Sequence, residues 1–207
     1  MSSNPFIPPQ VEAPPPEPDV PDDLFGESIT LDGPATPETV AAPAPASPPW
    51  PQQEVTDLAP VMVMGLHGGA GASTVARLLG DSAVDVGQGW PLAGGWTRPR
   101  PELNVLAVCR NHQRGIEAGI EFAKQWANDG LPTSRLLGIL IVDDGPKLLD
   151  AQKKATRKLG QMTPHGWHLP WVEEWRVTSP DTERLPRRIR QTMKKILSLA
   201  ESPKENN

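Results

Sequence analysis

The sequence predicts a three-layer α/β domain with a mostly parallel sheet, preceded by a proline-rich acidic tail. Two observations support this fold class. From residue 61 onward, short apolar runs alternate with segments whose apolar residues recur at helical spacing, which is the pattern of strands joined by crossover helices. The first of these runs, residues 61–66, leads through a glycine-rich turn directly into a helix.

The tail is recognised by its composition. Residues 1–60 hold sixteen of the 26 prolines and ten acidic residues but no Lys or Arg, whereas residues 61–207 hold twenty basic and fifteen acidic residues. The net charge of −5 therefore combines a tail of −10 with a domain of +5. We expect residues 1–58 to be disordered, because such a segment cannot bury enough apolar surface to offset the entropy lost on ordering.

Residues 59–207 are expected to form one domain, with its core over residues 59–177 and an amphipathic C-terminal helix over 181–200. The predicted strands are 61–66, 83–86, 104–109, 136–143 and 167–170. The predicted helices are 73–79, 110–129, 147–159 and a last one with Pro186 in its first turn. Residues 87–101 contain four glycines and are expected to be an irregular stretch that covers a site or moves.

The turn after the first strand has the residue types of a phosphate-binding loop. Its glycines permit positive φ and close approach of the backbone to a ligand, and the following helix points its unpaired N–H groups into the turn. The candidate phosphate-contacting residues are Gly68, Gly69, Ala70, Gly71, Ala72, Ser73 and Thr74. A Walker A loop has a lysine that reaches the β- and γ-phosphates, and here Ala72 takes that position.

Two further positions complete the candidate site, whose implied cofactor is ATP with Mg²⁺, bound weakly or no longer bound. Ser73 and Asp85 are the candidate metal ligands, with Asp81 as the weaker choice of carboxylate and a plain surface loop as the alternative explanation of Asp85. Arg110 ends a central strand at the edge where parallel sheets bind ligands. It either supplies the positive charge that the loop lacks or caps the strand in solvent. No catalytic residue is predicted.

Residues His67-Gly68-Gly69-Ala70-Gly71-Ala72-Ser73-Thr74 resemble the deviant Walker A motif, Lys-Gly-Gly-x-Gly-Lys-Thr-Thr, of the ParA/MinD family of P-loop ATPases. The match fails at both lysines, and the order of the later strands is similar. With Trp90-Pro91, Gln125-Trp126-Ala127 and Pro170-Trp171-Val172-Glu173, the chain is also similar to an uncharacterised actinobacterial family of P-loop-like proteins. Members of that family often accompany conjugation or type IV secretion genes, so the resemblance implies a P-loop NTPase-like fold and such a setting.

The departures from the ParA/MinD motif bear on function. His67 replaces the signature lysine that reaches the partner's nucleotide in the family's dimers, and Ala72 replaces the lysine in cis. Asp143 and Asp144 stand where the family has an Asn-Arg pair that contacts adenine, although a carboxylate can still accept from an exocyclic amine or a ribose. Each lost charge-assisted hydrogen bond removes on the order of 1.5 to 3 kcal/mol of phosphate binding. We therefore expect a non-hydrolysing docking or regulatory component of a conjugation, secretion or partitioning-type system.

Two other functions remain open from the sequence. One is a nucleotide-dependent switch that binds ATP through the loop backbone with little hydrolysis. The other is nonspecific DNA binding by a partition-type protein, for which the last helix offers a basic face that could equally meet an acidic membrane. That face consists of Arg187, Arg188, Arg190, Lys194 and Lys195. The resemblance also implies a dimer.

Two apolar islands interrupt the tail, one containing Phe6 and the other containing Leu24 and Phe25. They are expected to dock onto a protein partner, unless they are chance apolar residues in a spacer. The acidic tail could instead lie across the basic face of the last helix as an electrostatic lid, or serve only as a tether.

The location expected from the sequence is the cytoplasm, peripheral to a membrane-bound secretion apparatus. A single cysteine, Cys109, excludes an internal disulfide framework. The longest apolar run, 136–142, is too short to span a bilayer.

Overall fold

The computed structural model describes residues 30–32, 50–95, 99–128, 131 and 134–202, and for 30–32 it describes the backbone alone. The described strands are β1 (Thr30–Asp32), β2 (Gln52–Val55), β3 (Val61–Gly65), β4 (Ala83–Asp85), β5 (Trp90–Ala93), β6 (Asn104–Arg110), β7 (Arg135–Val142) and β8 (His165–Leu169). The described α-helices are α1 (Ala72–Leu79), α2 (Gln113–Ala127), α3 (Asp150–Gly160) and α4 (Arg187–Glu201), and 3-10 helices span Gly80–Ser82 and Glu173–Arg176.

The main sheet has the order β4-β3-β6-β7-β8-β1. Its first five strands are parallel, and β1 pairs antiparallel with β8. β2 and β5 form a separate parallel pair. These pairings, with helices on both faces of the sheet, confirm the predicted three-layer α/β fold.

The strand order reverses between β3 and β6. Strand β4, which follows β3 in the chain, pairs on one side of β3, whereas β6, β7 and β8 extend the sheet on the other side. Doubly wound sheets bind ligands at such a switch point, outside the carboxyl ends of the strands. The glycine-rich turn after β3 and Arg110 at the end of β6 therefore meet where this fold places its ligands.

Two apolar layers hold the helices on the sheet. On one face, α2 and α3 pack through Ile116, Phe122 and Leu159. On the other face, α1 and α4 pack through residues such as Val75 and Ile189. All five residues of β3 are buried, as expected for a central strand covered on both faces.

Cys109 lies in the first of these layers and is fully buried on β6. Burial raises the pKa of its thiol from 9.0 to about 12. Since the thiolate is the reactive form, this cysteine is unreactive at neutral pH while the domain stays folded.

Helix α4 is amphipathic, as predicted. Its residues Ile189, Met193 and Ile196 are buried against the sheet and α1. Its predicted basic residues are all exposed, namely Arg187, Arg188, Arg190, Lys194 and Lys195. Within the described part of the chain, no helix combines the length and apolar character needed to cross a bilayer.

The folded region begins earlier than residue 59. Residues 52–55 form β2, and the ring of Trp50 packs edge-on against Phe122 with the ring centroids 5.5 Å apart. The Trp50 backbone N–H also donates to Gln125 Oε1 at 2.8 Å. The predicted tail boundary at residue 58 is therefore too late. The irregular stretch predicted for 87–101 is also corrected, because it contains β5. Phe6, Leu24 and Phe25 lie outside the described residues.

Candidate functional site

The loop between β3 and α1 has the backbone of an anion-binding turn. Gly69 and Gly71 have φ values of 76° and 97°, which residues with side chains rarely adopt. Gly71 is the N-cap of α1, so no capping side chain accepts from the N–H groups of the first helical turn, and that turn holds no acidic residue. Those N–H groups and the positive end of the helix dipole are therefore directed at the space in front of the loop.

A cavity of about 370 Å³ lies at this loop. Its volume falls within the range of about 300 to 1,000 Å³ that is usual for small-molecule sites. The cavity brings together every residue that the sequence predicted to contact phosphate or metal. The lining consists of Gly65, His67, Gly68, Gly69, Ala70, Gly71, Ala72, Ser73, Thr74, Asp85, Gly87, Gln88 and Arg110.

Ser73 and Asp85 both line this cavity and are in direct contact. The Ser73 hydroxyl donates to Asp85 Oδ2 at 2.5 Å, and the Gly87 N–H donates to Asp85 Oδ1 at 2.9 Å. Asp85 reaches this position because it ends β4, which pairs with β3 directly before the loop. A serine at the start of the helix and a carboxylate from the neighbouring strand thus form one oxygen-rich corner, whereas Asp81 lies outside the cavity lining.

Arg110 lies across the loop from the end of β6. Its Nε–H donates to the Gly69 carbonyl oxygen at 3.1 Å, and its Nη1 donates to Asp144 Oδ1 at 3.2 Å. One third of the side chain remains exposed, so the guanidinium is close to both the loop backbone and solvent. Arg110 is the only lysine or arginine among the residues that line the cavity.

The His67 side chain forms hydrogen bonds with the backbone at both of its ring nitrogens. Its Nε2 accepts the backbone N–H of Arg110 at 3.0 Å, so the ring proton is on Nδ1, which lies 2.9 Å from the Gly68 carbonyl oxygen and donates to it. The ring therefore ties the loop to the end of β6, and both ring nitrogens are occupied. This role differs from that of the ParA/MinD lysine, which extends away from its own loop.

The absence of a side chain at Gly115 leaves room for the hydrogen bond between His67 and the Arg110 backbone. A Cβ at Gly115 would overlap with the Arg110 carbonyl oxygen and would lie 3.0 Å from His67 Nε2. Just before it, His112 caps α2 by accepting the Gly115 N–H at 3.0 Å, and the His67 and His112 rings lie 5.0 Å apart. The start of α2 thus packs against His67 of the loop.

Asp143 and Asp144 have different environments. Asp144 is partly exposed and pairs with Arg110. Asp143 is buried, and its Oδ1 accepts from Asn111 Nδ2 at 3.2 Å and from His168 Nε2 at 2.8 Å. Neither carboxylate lines the cavity. Both are instead bonded to other side chains of the domain.

Sequence reasoning did not place five participants in the site. Gly65, His67, Gly87 and Gln88 also line the cavity, and Asp144 holds the guanidinium of Arg110. The signal for Gly87 is its position two residues after Asp85, where its positive φ of 71° lets the chain turn back and its N–H reach the carboxylate. Asp144 carries no such local signal, because its contact depends on the pairing of β6 with β7.

A metal at this site would have few protein ligands. Among the described residues there is no group of three or more His, Cys, Asp or Glu side chains that could hold an ion. Mg²⁺ commonly uses one or two carboxylates, keeps several waters and takes the remaining oxygens from phosphates. Ser73 and Asp85 fit that sparse ligand set.

Comparison with known proteins identifies the family but no activity. Searches of the curated proteins and of the solved structures gave no match. Residues 59–193, which contain the loop, Asp85 and Arg110, match the Family of unknown function (DUF6668). Since the match covers more than half of the chain, this protein belongs to the DUF6668 family.

Proposed function

We propose that this protein binds a nucleoside triphosphate with Mg²⁺ at the loop, does not hydrolyse it at an enzymatic rate, and uses the bound state to regulate docking to a protein partner. The observation that carries the proposal is the contact between Ser73 and Asp85 at the N-terminus of α1. A hydroxyl and a carboxylate together beside a glycine-rich loop are the protein ligands that a phosphate-bound Mg²⁺ requires.

The loop backbone supports phosphate binding without a lysine. The first-turn N–H groups of α1 have no capping side chain, and an anion placed there gains both hydrogen bonds and the helix dipole. The cavity in front of them is large enough for a polyphosphate and is open to solvent on the Arg110 side.

The oxygen-rich corner supports a role for Mg²⁺. Ser73 and Asp85 would hold the ion from the protein side, and the ion would neutralise part of the phosphate charge when bound. Asp85 is already oriented for this by the Gly87 N–H. The chain thus keeps its metal-binding corner while lacking the lysine beside it.

Arg110 supports the replacement of the missing lysine by a cation from another strand. Its guanidinium bonds to the loop at Gly69 and is restrained by Asp144. A phosphate entering the cavity would compete with Asp144 for this guanidinium, because bidentate contacts of arginine with phosphate are strong charge-assisted hydrogen bonds. Ligand binding would then change the contacts of the segment after β7, which contains Asp144.

Hydrolysis lacks support in the same geometry. Of the residues that line the cavity, only Asp85 carries a carboxylate, and both its oxygens already accept hydrogen bonds. His67 has both ring nitrogens occupied. A general base must be available to reach the proton that it abstracts, and these hydrogen bonds engage the two lining side chains most suited to that role. Ala72 also removes the charge that would stabilise the transition state.

The biological setting follows from the resemblance. A non-hydrolysing relative of ParA/MinD proteins, similar to a family that accompanies conjugation and type IV secretion genes, would serve as a nucleotide-sensing docking component in the cytoplasm next to such an apparatus.

Phosphate release by the full chain tests this proposal. We expect the wild-type protein with ATP and Mg²⁺ to release phosphate no faster than Ser73→Ala, while the ATP incubated with the wild-type protein is recovered intact. A Mg²⁺-dependent rate well above that of Ser73→Ala would contradict the non-hydrolysing assignment.

A further inference from the structure

We propose that the N-terminal end of α3 is a docking surface for the acidic segment Asp22–Glu27 of the same chain. The occupant is this segment, held nearby because β1 anchors the tail on the edge of the sheet. The inference goes beyond nucleotide binding and does not depend on it.

The first observation is the place where β1 is anchored. β1 pairs with β8, and the described contacts of α3 include β1, β7, β8 and α2. Helix α4, in contrast, packs on α1 and β7 on the opposite face of the sheet. The tail is therefore attached next to the basic helix α3 and not next to the basic helix α4.

The second observation is the direction of the chain. β1 is antiparallel to β8, with Asp32 opposite His165 and Thr30 opposite Trp167, so Thr30 is the end of β1 nearer the carboxyl end of β8. α3 begins at the same edge, because it follows the carboxyl end of β7 and β7 is parallel to β8. The start of β1 and the first turn of α3 thus lie at the same end of the sheet, where β7 and β8 have their carboxyl ends.

The third observation is the chemistry of α3 and the turn before it, a basic stretch that begins at the start of the helix and continues to Arg157 and Lys158 in its last turn. Residues 147–158 contain five basic residues and one acidic residue. Leu149, directly before the helix, is 71 % exposed, and few large apolar side chains among the described residues are so open to solvent. The basic residues are Lys147, Lys153, Lys154, Arg157 and Lys158.

The tail segment has the complementary chemistry. Residues 12–29 contain six acidic residues and no basic residue, and Asp22, Asp23 and Glu27 flank the apolar pair Leu24-Phe25. An apolar pair between carboxylates matches an exposed leucine among ammonium and guanidinium groups. Five residues separate Leu24 from Thr30, and the six Cα–Cα steps between them span up to about 20 Å. Because neighbouring strands lie only about 4.8 Å apart and α3 contacts β1, the reach is sufficient.

The docking surface is held rigidly. Gln152 accepts the Leu149 N–H on its Oε1 at 2.8 Å, and its Nε2 donates to the Asn111 carbonyl oxygen at 2.8 Å. Gln152 therefore links Leu149 to Asn111, the residue that follows Arg110 at the end of β6. A segment bound at Leu149 would meet a preformed surface and would lie close to the nucleotide cavity.

Paramagnetic broadening in the full chain tests this inference. A spin label is attached to the cysteine introduced by Val20→Cys, since Cys109 is buried and does not compete for the label. We expect the amide signals of residues 147–158 to lose most of their intensity at low ionic strength. They should recover at about 1 M salt, where the Debye length falls to about 3 Å.

Matched variants assign the contact. Leu149→Ser should abolish the broadening, and so should Leu24→Ala combined with Phe25→Ala. Val177→Ser is the control, since Val177 is also an exposed apolar residue, 87 % open, but lies outside residues 147–158, and this change should leave the broadening as it is. Lys147→Glu with Lys154→Glu should abolish it, and Lys194→Glu with Lys195→Glu on α4 should not. Broadening centred on α4, or confined to β1 and β8, would overturn the inference. So would broadening of an isotope-labelled, spin-free copy mixed with a spin-labelled one, which would assign the contact to a second molecule.

Discussion

The hydroxyl of Ser73 lies 2.5 Å from the carboxylate of Asp85 and joins the first turn of α1 to the end of β4. These residues are twelve positions apart in the chain and meet because β4 pairs with β3 in parallel register. Under the proposed function, this contact is the metal-binding half of a nucleotide site whose lysine half is absent, which makes the two halves separable by experiment.

Asp85→Asn should weaken Mg²⁺-dependent ATP binding by about 10- to 100-fold, since a hydrogen bond to a charged group contributes about 1.5 to 3 kcal/mol. Binding of pyrophosphate without Mg²⁺ should change little, because the loop N–H groups remain. Competition against a fluorescent ATP analogue measures both affinities. Asp81→Asn is the matched control, as Asp81 lies outside the cavity. Equal losses in the two variants would exclude Asp85 as the metal ligand.

Arg110→Ala should lower ATP affinity by about 10- to 100-fold for the same energetic reason, with or without Mg²⁺. Asp144→Asn should instead raise it by about two- to five-fold, because it releases the guanidinium from a partly exposed ion pair of at most about 1 kcal/mol. Asp181→Asn, which removes another Asp–Arg pair, is the control. An Asp144→Asn protein that binds more weakly than wild type would show that Asp144 assists the ligand.

Ala72→Lys should raise phosphate affinity by about tenfold or more, because the loop keeps its left-handed glycines and its open first turn. Adding His67→Lys should give no further gain, since it removes the ring that bonds both Arg110 and Gly68. Titration with pyrophosphate measures the effect, and Ala72→Met controls for side-chain length. No gain in Ala72→Lys with unchanged thermal stability would mean that the loop excludes a side chain at this position.

Sequence reasoning predicted most of the fold and the loop because the evidence was local. Residues 61–74 contain the strand, the glycines and the helix start in one continuous stretch, and Arg110 could be placed at the site because its strand is apolar throughout. β2 and β5 were missed because Pro49, Pro51 and Pro91 flank or occupy them, and proline normally argues against a short strand.

Other features could not be predicted, because they depend on contacts between distant segments. β1 has three residues inside an acidic, proline-rich tail, and its place is set only by the open edge of β8. The bond from His67 to the Arg110 backbone likewise requires the end of β6 to lie beside the loop. Nothing in the spacing of these residues indicates either contact.

Removal of residues 1–49 should lower the free energy of unfolding only slightly, whereas removal of residues 1–58 should lower it by about 2 to 5 kcal/mol. The second truncation removes β2 and the buried Val55, and it deletes Trp50 from its contact with Phe122. Losses of this size are usual for large apolar side chains taken from a core. Urea denaturation followed by circular dichroism measures both values. Equal stability of the two truncated proteins would place the true start of the domain after residue 58.

Isothermal titration of the full chain with ATP in the presence and absence of Mg²⁺ tests the central claim, that the loop binds nucleotide despite lacking both lysines. We predict saturable binding at one site with a Kd between about 1 µM and 1 mM, tighter with Mg²⁺ than without it. Ser73→Ala should remove most of the Mg²⁺ dependence and retain the weaker binding. Absence of saturable heat with ATP at millimolar concentration, together with absence of competition by pyrophosphate, would contradict the account.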